Sequence, residues 1–145
     1  MIKKALIITL FLNSIILIAV PAGHGAGLMI MIEYISVQSL IETGVSFRNE
    51  YPFESSLILI GLVSLIGKLV VIATLFSRDI ITRRVWLYIG LTLMLMAFLA
   101  ICYGAWQQDN FLFAIAFGSG IPFLMYYGYV LHQIYKERKL QIEKT

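Results

Sequence analysis

The sequence predicts an all-α polytopic membrane protein. The expected architecture is a four-transmembrane-helix bundle with a broken first element, an extra amphipathic or re-entrant outer helix, and a kinked fourth helix. Three observations lead there. Of 145 residues, 60% are hydrophobic and 13% charged, about half the roughly 25% charge of soluble domains. The mean hydropathy is +0.89, and a soluble fold of this size buries only about two-thirds of its chain surface, so much apolar material would face water. Finally, four apolar segments approach the roughly 20 residues that a helix needs to cross a bilayer core.

These segments cover about residues 5–20, 55–76, 85–106 and 111–135 within a single integral-membrane domain, 1–145. They are too long and too uniformly apolar for barrel strands, which run about 9–11 residues and alternate in polarity. The first segment, "MIKKALIITLFLNSIILIAV", has the basic start and apolar run of a signal peptide, and "PAGHGAG" resembles a cleavage region. The expectation is that residues 1–22 are kept as an uncleaved helix. "PAGHGAG" breaks that helix: Pro21 removes a backbone donor and Gly23, Gly25 and Gly27 loosen the turn. Residues 26–42 begin apolar and become polar, so they are expected to continue outward, re-enter, or lie in the outer interface.

Charge orients the chain. With four spans and a cytoplasmic N-terminus, the inner side receives Lys3, Lys4, Arg78, Arg83, Arg84, Lys136, Arg138, Lys139 and Lys144, while Arg48 is the sole basic residue outside. That asymmetry obeys the positive-inside rule. The expected location is a bacterial-type plasma membrane with both termini cytoplasmic and a basic cytoplasmic tail, 136–145. The net charge of +3 reflects this distribution and does not call for nucleic acid as a partner. Trp86 and Trp106 bracket the third span, as interfacial anchors do.

Lys68 stands inside "VSLIGKLVVIA". Counting along its helix puts it roughly 20 Å from the outer surface and roughly 14 Å from the inner one. The Cα–Cβ bond leans toward the helix N-terminus, the outer side, which makes inward snorkelling awkward. A lipid-facing lysine at that depth costs about 2.5–3.5 kcal/mol on insertion scales. Gly61, Ser64 and Lys68 share one helix face at i, i+3, i+7, which lets another helix approach. Two readings follow: a lysine neutralised inside the bundle, or one lining a ligand or ion site.

The fourth segment carries "GSGIP", Gly118 to Pro122, where Pro122 cannot donate to the Gly118 carbonyl and flanking glycines make unwinding cheap. A helix broken at that depth would aim a positive half-helix end at mid-membrane, as transporter helices do. Ordinary proline kinking with small residues for packing is the plainer alternative. Glu33, between "GLMIMI" and "YISV", is the counter-charge for Lys68 if 26–42 enters the membrane. His24 sits in the glycine-rich break and is a candidate proton-responsive group, or simply a solvated turn residue.

Several chemistries are excluded. Single Cys102 allows no internal disulfide, redox pair or multi-cysteine metal site. Met29 with Met31 and Met94 with Met96 suggest copper ligands, but residues two apart on a helix diverge by about 200°. No phosphate loop, nucleophile elbow or zinc-protease motif occurs, so neither a cofactor nor a metal is expected. The expected function is a small transporter or channel-like protein for an anionic solute, acting as an oligomer. Lys68, Glu33, Gly118, Ser119, Gly120 and Pro122 would form its binding site. The alternative is a non-catalytic accessory or assembly subunit of a larger membrane complex. A membrane-embedded enzyme acting on lipid is a third reading, lacking an assembled nucleophile or metal set.

Overall fold

A computed structural model of the chain describes residues 2–19, 26–42, 52–76 and 80–142. Helix α1 spans Ile2–Ser14, strand β1 Leu17–Ala19, strand β2 Ala26–Leu28, and helix α2 Met29–Glu42. Three long helices follow: α3 at Pro52–Phe76, α4 at Ile80–Gln108 and α5 at Asn110–Ile142.

Among the described residues three stretches are long and apolar enough to cross a membrane. They are Ser56–Phe76 in α3, Arg83–Gln108 in α4 and Asn110–Glu137 in α5, with mean hydropathies of 2.5, 2.3 and 1.5. The protein is a helical membrane protein. In lipid no water replaces lost backbone hydrogen bonds, so an apolar run of this length closes its N–H and C=O groups within itself as a helix. Proline fits the first turn of α3, where its missing N–H would be unpaired anyway. Between α4 and α5 only Asp109 is non-helical. It caps α5: its carboxylate accepts from Phe111 N at 3.2 Å and its carbonyl from Phe113 N at 3.1 Å. This turn is tighter than the four-residue loop the sequence suggests.

The long helices pack through small residues. A Cβ on Gly67 would lie 2.9 Å from the Gly90 carbonyl oxygen, and one on Gly90 would lie 2.7 Å from a Val71 methyl. The α3 and α4 backbones therefore touch where both lack side chains. Between α4 and α5 the Phe98 ring lies directly over Gly120 and meets Phe123 edge-on at 5.7 Å.

The N-terminal region departs from expectation. No helix runs over 5–20; α1 stops at Ser14, about 20 Å long. Its buried side chains, Ile2, Ala5, Leu6, Thr9 and Asn13, share the helical period and α1 packs chiefly on α5. Asn13 and Ser14 then interrupt the apolar run, and Ile15, Ile16 and Ile18 favour extended backbone. β1 pairs antiparallel with β2, Leu17 opposite Leu28 and Ala19 opposite Ala26. The ribbon's outlying groups find partners: Met29 N–H donates to Ile16 O at 2.9 Å, and Leu17 N–H to Ser119 Oγ at 3.0 Å. Most of the "PAGHGAG" break, with Pro21 and His24, lies outside the described residues.

α2 lies against α3 and is polar on its inner face. It buries Met29, Glu33 and Ser36 while Ile30, Met31, Tyr34, Ile35 and Ile41 face outward. Glu33 meets Ser64 and Lys68, and Ser36 meets Gly61, so the two helices run antiparallel.

Candidate functional site

The ends of α1 and α2 converge on the middle of α3. The Gly61–Ser64–Lys68 stripe admits a helix, as its spacing predicts: the Ser36 hydroxyl occupies the space a Gly61 side chain would need. One turn earlier on α2, Glu33 reaches Lys68. The ammonium lies 2.7 Å from Glu33 Oε1, 2.9 Å from Oε2 and 2.8 Å from Ser14 Oγ. Two of these contacts are hydrogen bonds, to Glu33 Oε2 and Ser14 Oγ, and the approach to Oε1 completes the ion pair. The side chains of Lys68 and Glu33 are 8% and 4% exposed. At that burial the attraction between the charges is strong, while the cost of dehydrating them falls on the same pair.

Ser64 joins the pair to α1. Its hydroxyl lies 2.6 Å from Glu33 Oε1 and 3.2 Å from Asn13 Oδ1. Having one proton, it serves the carboxylate, where the bond is short and charge-assisted. Asn13 Nδ2 is buried with no partner. Turned end for end, the amide would donate to Ser64 Oγ and complete a one-way chain, Asn13 to Ser64 to Glu33. Ser14 uses its own proton on Leu10 O at 3.0 Å.

An open groove of about 380 Å³ runs beside this cluster between α2 and α3. Its apolar walls are Ile30, Tyr34 and Val37 on one helix and Leu65, Leu69 and Ile72 on the other. Both sets follow i, i+4, i+7 spacing, one face of each helix. Ser14, Glu33 and Lys68 supply its polar lining.

The structure thus unites Lys68 with Glu33 but leaves the other candidates elsewhere. Gly118, Ser119, Gly120 and Pro122 do not line the groove. The helix passes through "GSGIP" uninterrupted, with Pro122 inside it, so no half-helix end forms there. Backbone bonds on either side hold the turn while the one donor that proline lacks is forgone. Open space surrounds Gly118, Gly120 makes room for Phe98, and Ser119 receives Leu17 N–H while donating to Ala116 O at 3.1 Å. His24 lies outside the described residues. Asn13 and Ser14 are site residues beyond those the sequence singles out. Their signal was available: adjacent polar side chains inside the apolar run "LFLNSII".

No protein-family model matches this chain, and no curated protein or solved structure is significantly similar to it.

Proposed function

We propose that this chain is a non-catalytic membrane subunit that crosses the bilayer four times and works within a larger membrane assembly. The fourth crossing is divided between α1 and α2. Neither half reaches across roughly 30 Å of hydrocarbon, yet their combined 13 and 14 residues do. α1 ends and α2 begins beside Lys68, near the middle of α3, and α2 continues antiparallel to α3. The inverted polarity of α2, carboxylate inward and isoleucines outward, suits contact with lipid rather than water. Irregular backbone at such depth is tolerated where protein covers it, and the ribbon donates to Ser119 of α5. Under the positive-inside rule both termini are cytoplasmic.

The observation that carries the assembly reading is that Lys68 is already paired within the chain. Its ammonium is ion-paired with Glu33 and donates to Ser14, so an anionic solute would have to displace a carboxylate already 2.7 Å away. The pair instead fixes α2 on α3 and closes the broken crossing. α5 supplies outer surface for neighbours: 17% of its membrane window is buried, against 39% and 44% for α3 and α4. Purification through an affinity tag in mild detergent should recover a defined membrane partner, lost after Lys68→Leu or Glu33→Gln. Recovery of a self-contained oligomer alone would refute the reading.

Transport of a small solute by a homo-oligomer is the second reading. The specific observation favouring it is that the groove reaches both charges. Reconstituted protein would then show substrate-dependent flux that Lys68→Met abolishes.

A further inference from the structure

Helix register gathers basic side chains at one end of this protein. Gly67 faces Gly90 across α3 and α4, and Phe98 covers Gly120 across α4 and α5. Counting along these antiparallel pairs puts Arg83 level with Thr74 of α3 and Tyr135 of α5. Lys136 and Lys139 follow directly on α5. Helix α1 adds two more. Its ribbon meets α5 at Ser119, it packs chiefly on α5, and Ile2 at its far end is buried. From Ser119 about 14 Å of α5 remains toward Asn110 and about 34 Å toward Ile142. A helix about 20 Å long is covered only in the second direction, so Lys3 and Lys4 stand beside the other cations. Lys3, Lys4, Lys136 and Lys139 are exposed and, like Arg83, have no acidic partner among the described residues. Glu137 is the one described acid at this end, whereas the described charges of the opposite end are Glu42 and Asp109.

Arg83 differs from the lysines. It is half-buried, and its Nε has no hydrogen-bond partner. No protein group claims that donor, and a guanidinium fork matches two oxygens of a phosphate. Depth then selects the source of the phosphate. Arg83 and Glu137 are the terminal residues of the membrane-length stretches in α4 and α5. Trp86 and Tyr135 are exposed next to them, and such rings sit at the level of lipid headgroups. We propose that this end of the bundle holds an anionic phospholipid. Arg83 anchors its phosphate, and Lys3, Lys4 and Lys136 attract its net negative charge. A zwitterionic lipid brings its own ammonium and gains less from the same cluster. The site concerns the chain alone and stands whether or not the assembly reading does.

The two tryptophans report the two ends. Trp106→Phe leaves Trp86 at the basic end, and Trp86→Phe leaves Trp106 next to the Asp109 turn. Each full-length variant is reconstituted in phosphatidylcholine vesicles and titrated with phosphatidylglycerol brominated on its acyl chains, or with equally brominated phosphatidylcholine. Phosphatidylglycerol should bind near Trp86 about fivefold more tightly, the effect of one well-placed basic residue at an anionic surface. Trp106 should show no preference. Arg83→Gln in the Trp86 reporter should remove most of the preference. Lys3→Gln with Lys4→Gln, both exposed, should lower it too and serves if the Arg83 variant aggregates. Equal quenching of Trp86 by the two lipids, or the same preference at Trp106, would overturn the proposal. A preference unchanged in both sets of variants would overturn it as well. Loss of the preference in excess inorganic phosphate, beyond that in chloride of equal ionic strength, would make the ligand a soluble anion and not a lipid.

Discussion

Lys68 Nζ meets both carboxylate oxygens of Glu33, at 2.7 and 2.9 Å, across 35 positions of sequence. Neither charge is well tolerated alone at that burial, with side chains 8% and 4% exposed. A lone charge there would be buried without a counter-charge, and a lone polar helix face on α2 would have nothing to pack on. Together they permit a short helix carrying a carboxylate to lie on α3.

Breaking the pair from one side should therefore be expensive. Lys68→Met or Glu33→Gln is expected to lower stability by about 3 kcal/mol, since each leaves an uncompensated or poorly matched buried group. The double change to Lys68→Met with Glu33→Leu should recover most of that loss. Equilibrium unfolding in mixed micelles checks the ordering; a double-variant loss equal to the sum of the two single losses would show the charges to be uncoupled.

Glycine positions separate into two groups. Gly67→Ala, Gly90→Ala and Gly120→Ala each push a Cβ into backbone, a methyl or the Phe98 ring, and overpacking of that kind costs about 1–3 kcal/mol. Gly118→Ala and Gly128→Ala meet nothing within 4 Å and should be neutral or stabilise by about 0.5 kcal/mol through helix propensity. Thermal unfolding of the five variants decides it.

Ser119→Ala removes the acceptor of Leu17 N–H and leaves that donor without its partner. The expected loss is about 1–3 kcal/mol, with faster amide exchange localised to β1. Ser119→Thr keeps the hydroxyl and should restore protection at Leu17. Unchanged exchange in Ser119→Ala would show that the ribbon does not depend on α5.

Sidedness can be read with cysteine. Cys102 is buried, so the native thiol should stay silent toward an impermeant maleimide. Single cysteines at Lys3, Arg84 and Lys136 should label from one side of sealed vesicles, and those at Glu42 and Asp109 from the other. Labelling of Glu42 from the same side as Lys3 would mean that the N-terminal region does not cross.

The long helices were legible because length and hydropathy suffice for them: the expected 55–76, 85–106 and 111–135 fall within α3, α4 and α5. Composition cannot distinguish one 16-residue helix from a shorter helix followed by a strand, since isoleucine serves both in apolar surroundings. The end of α1 at Ser14 depended on Asn13, Ser14 and the ribbon. Within the site, the Gly61–Ser64–Lys68 face and the eligibility of Glu33 were visible from spacing. The role of Ser14 was not, because it comes from 54 residues away. Of the two readings of "GSGIP", the continuous helix with a glycine for packing is the one seen, because proline and glycine lower the cost of breaking a helix without requiring a break.

By itself the sequence determined that this is a helical membrane protein, where its three long apolar helices lie, and that a lysine within one of them needs a partner. Those follow from transfer free energies, which are properties of residues and their near neighbours. The tertiary structure decided which partner Lys68 takes, that "GSGIP" serves packing against Phe98 and the ribbon, and that a groove opens beside the pair. Those depend on how helix ends distant in sequence meet in space. Local spacing can nominate such contacts, but only the packed chain can make them.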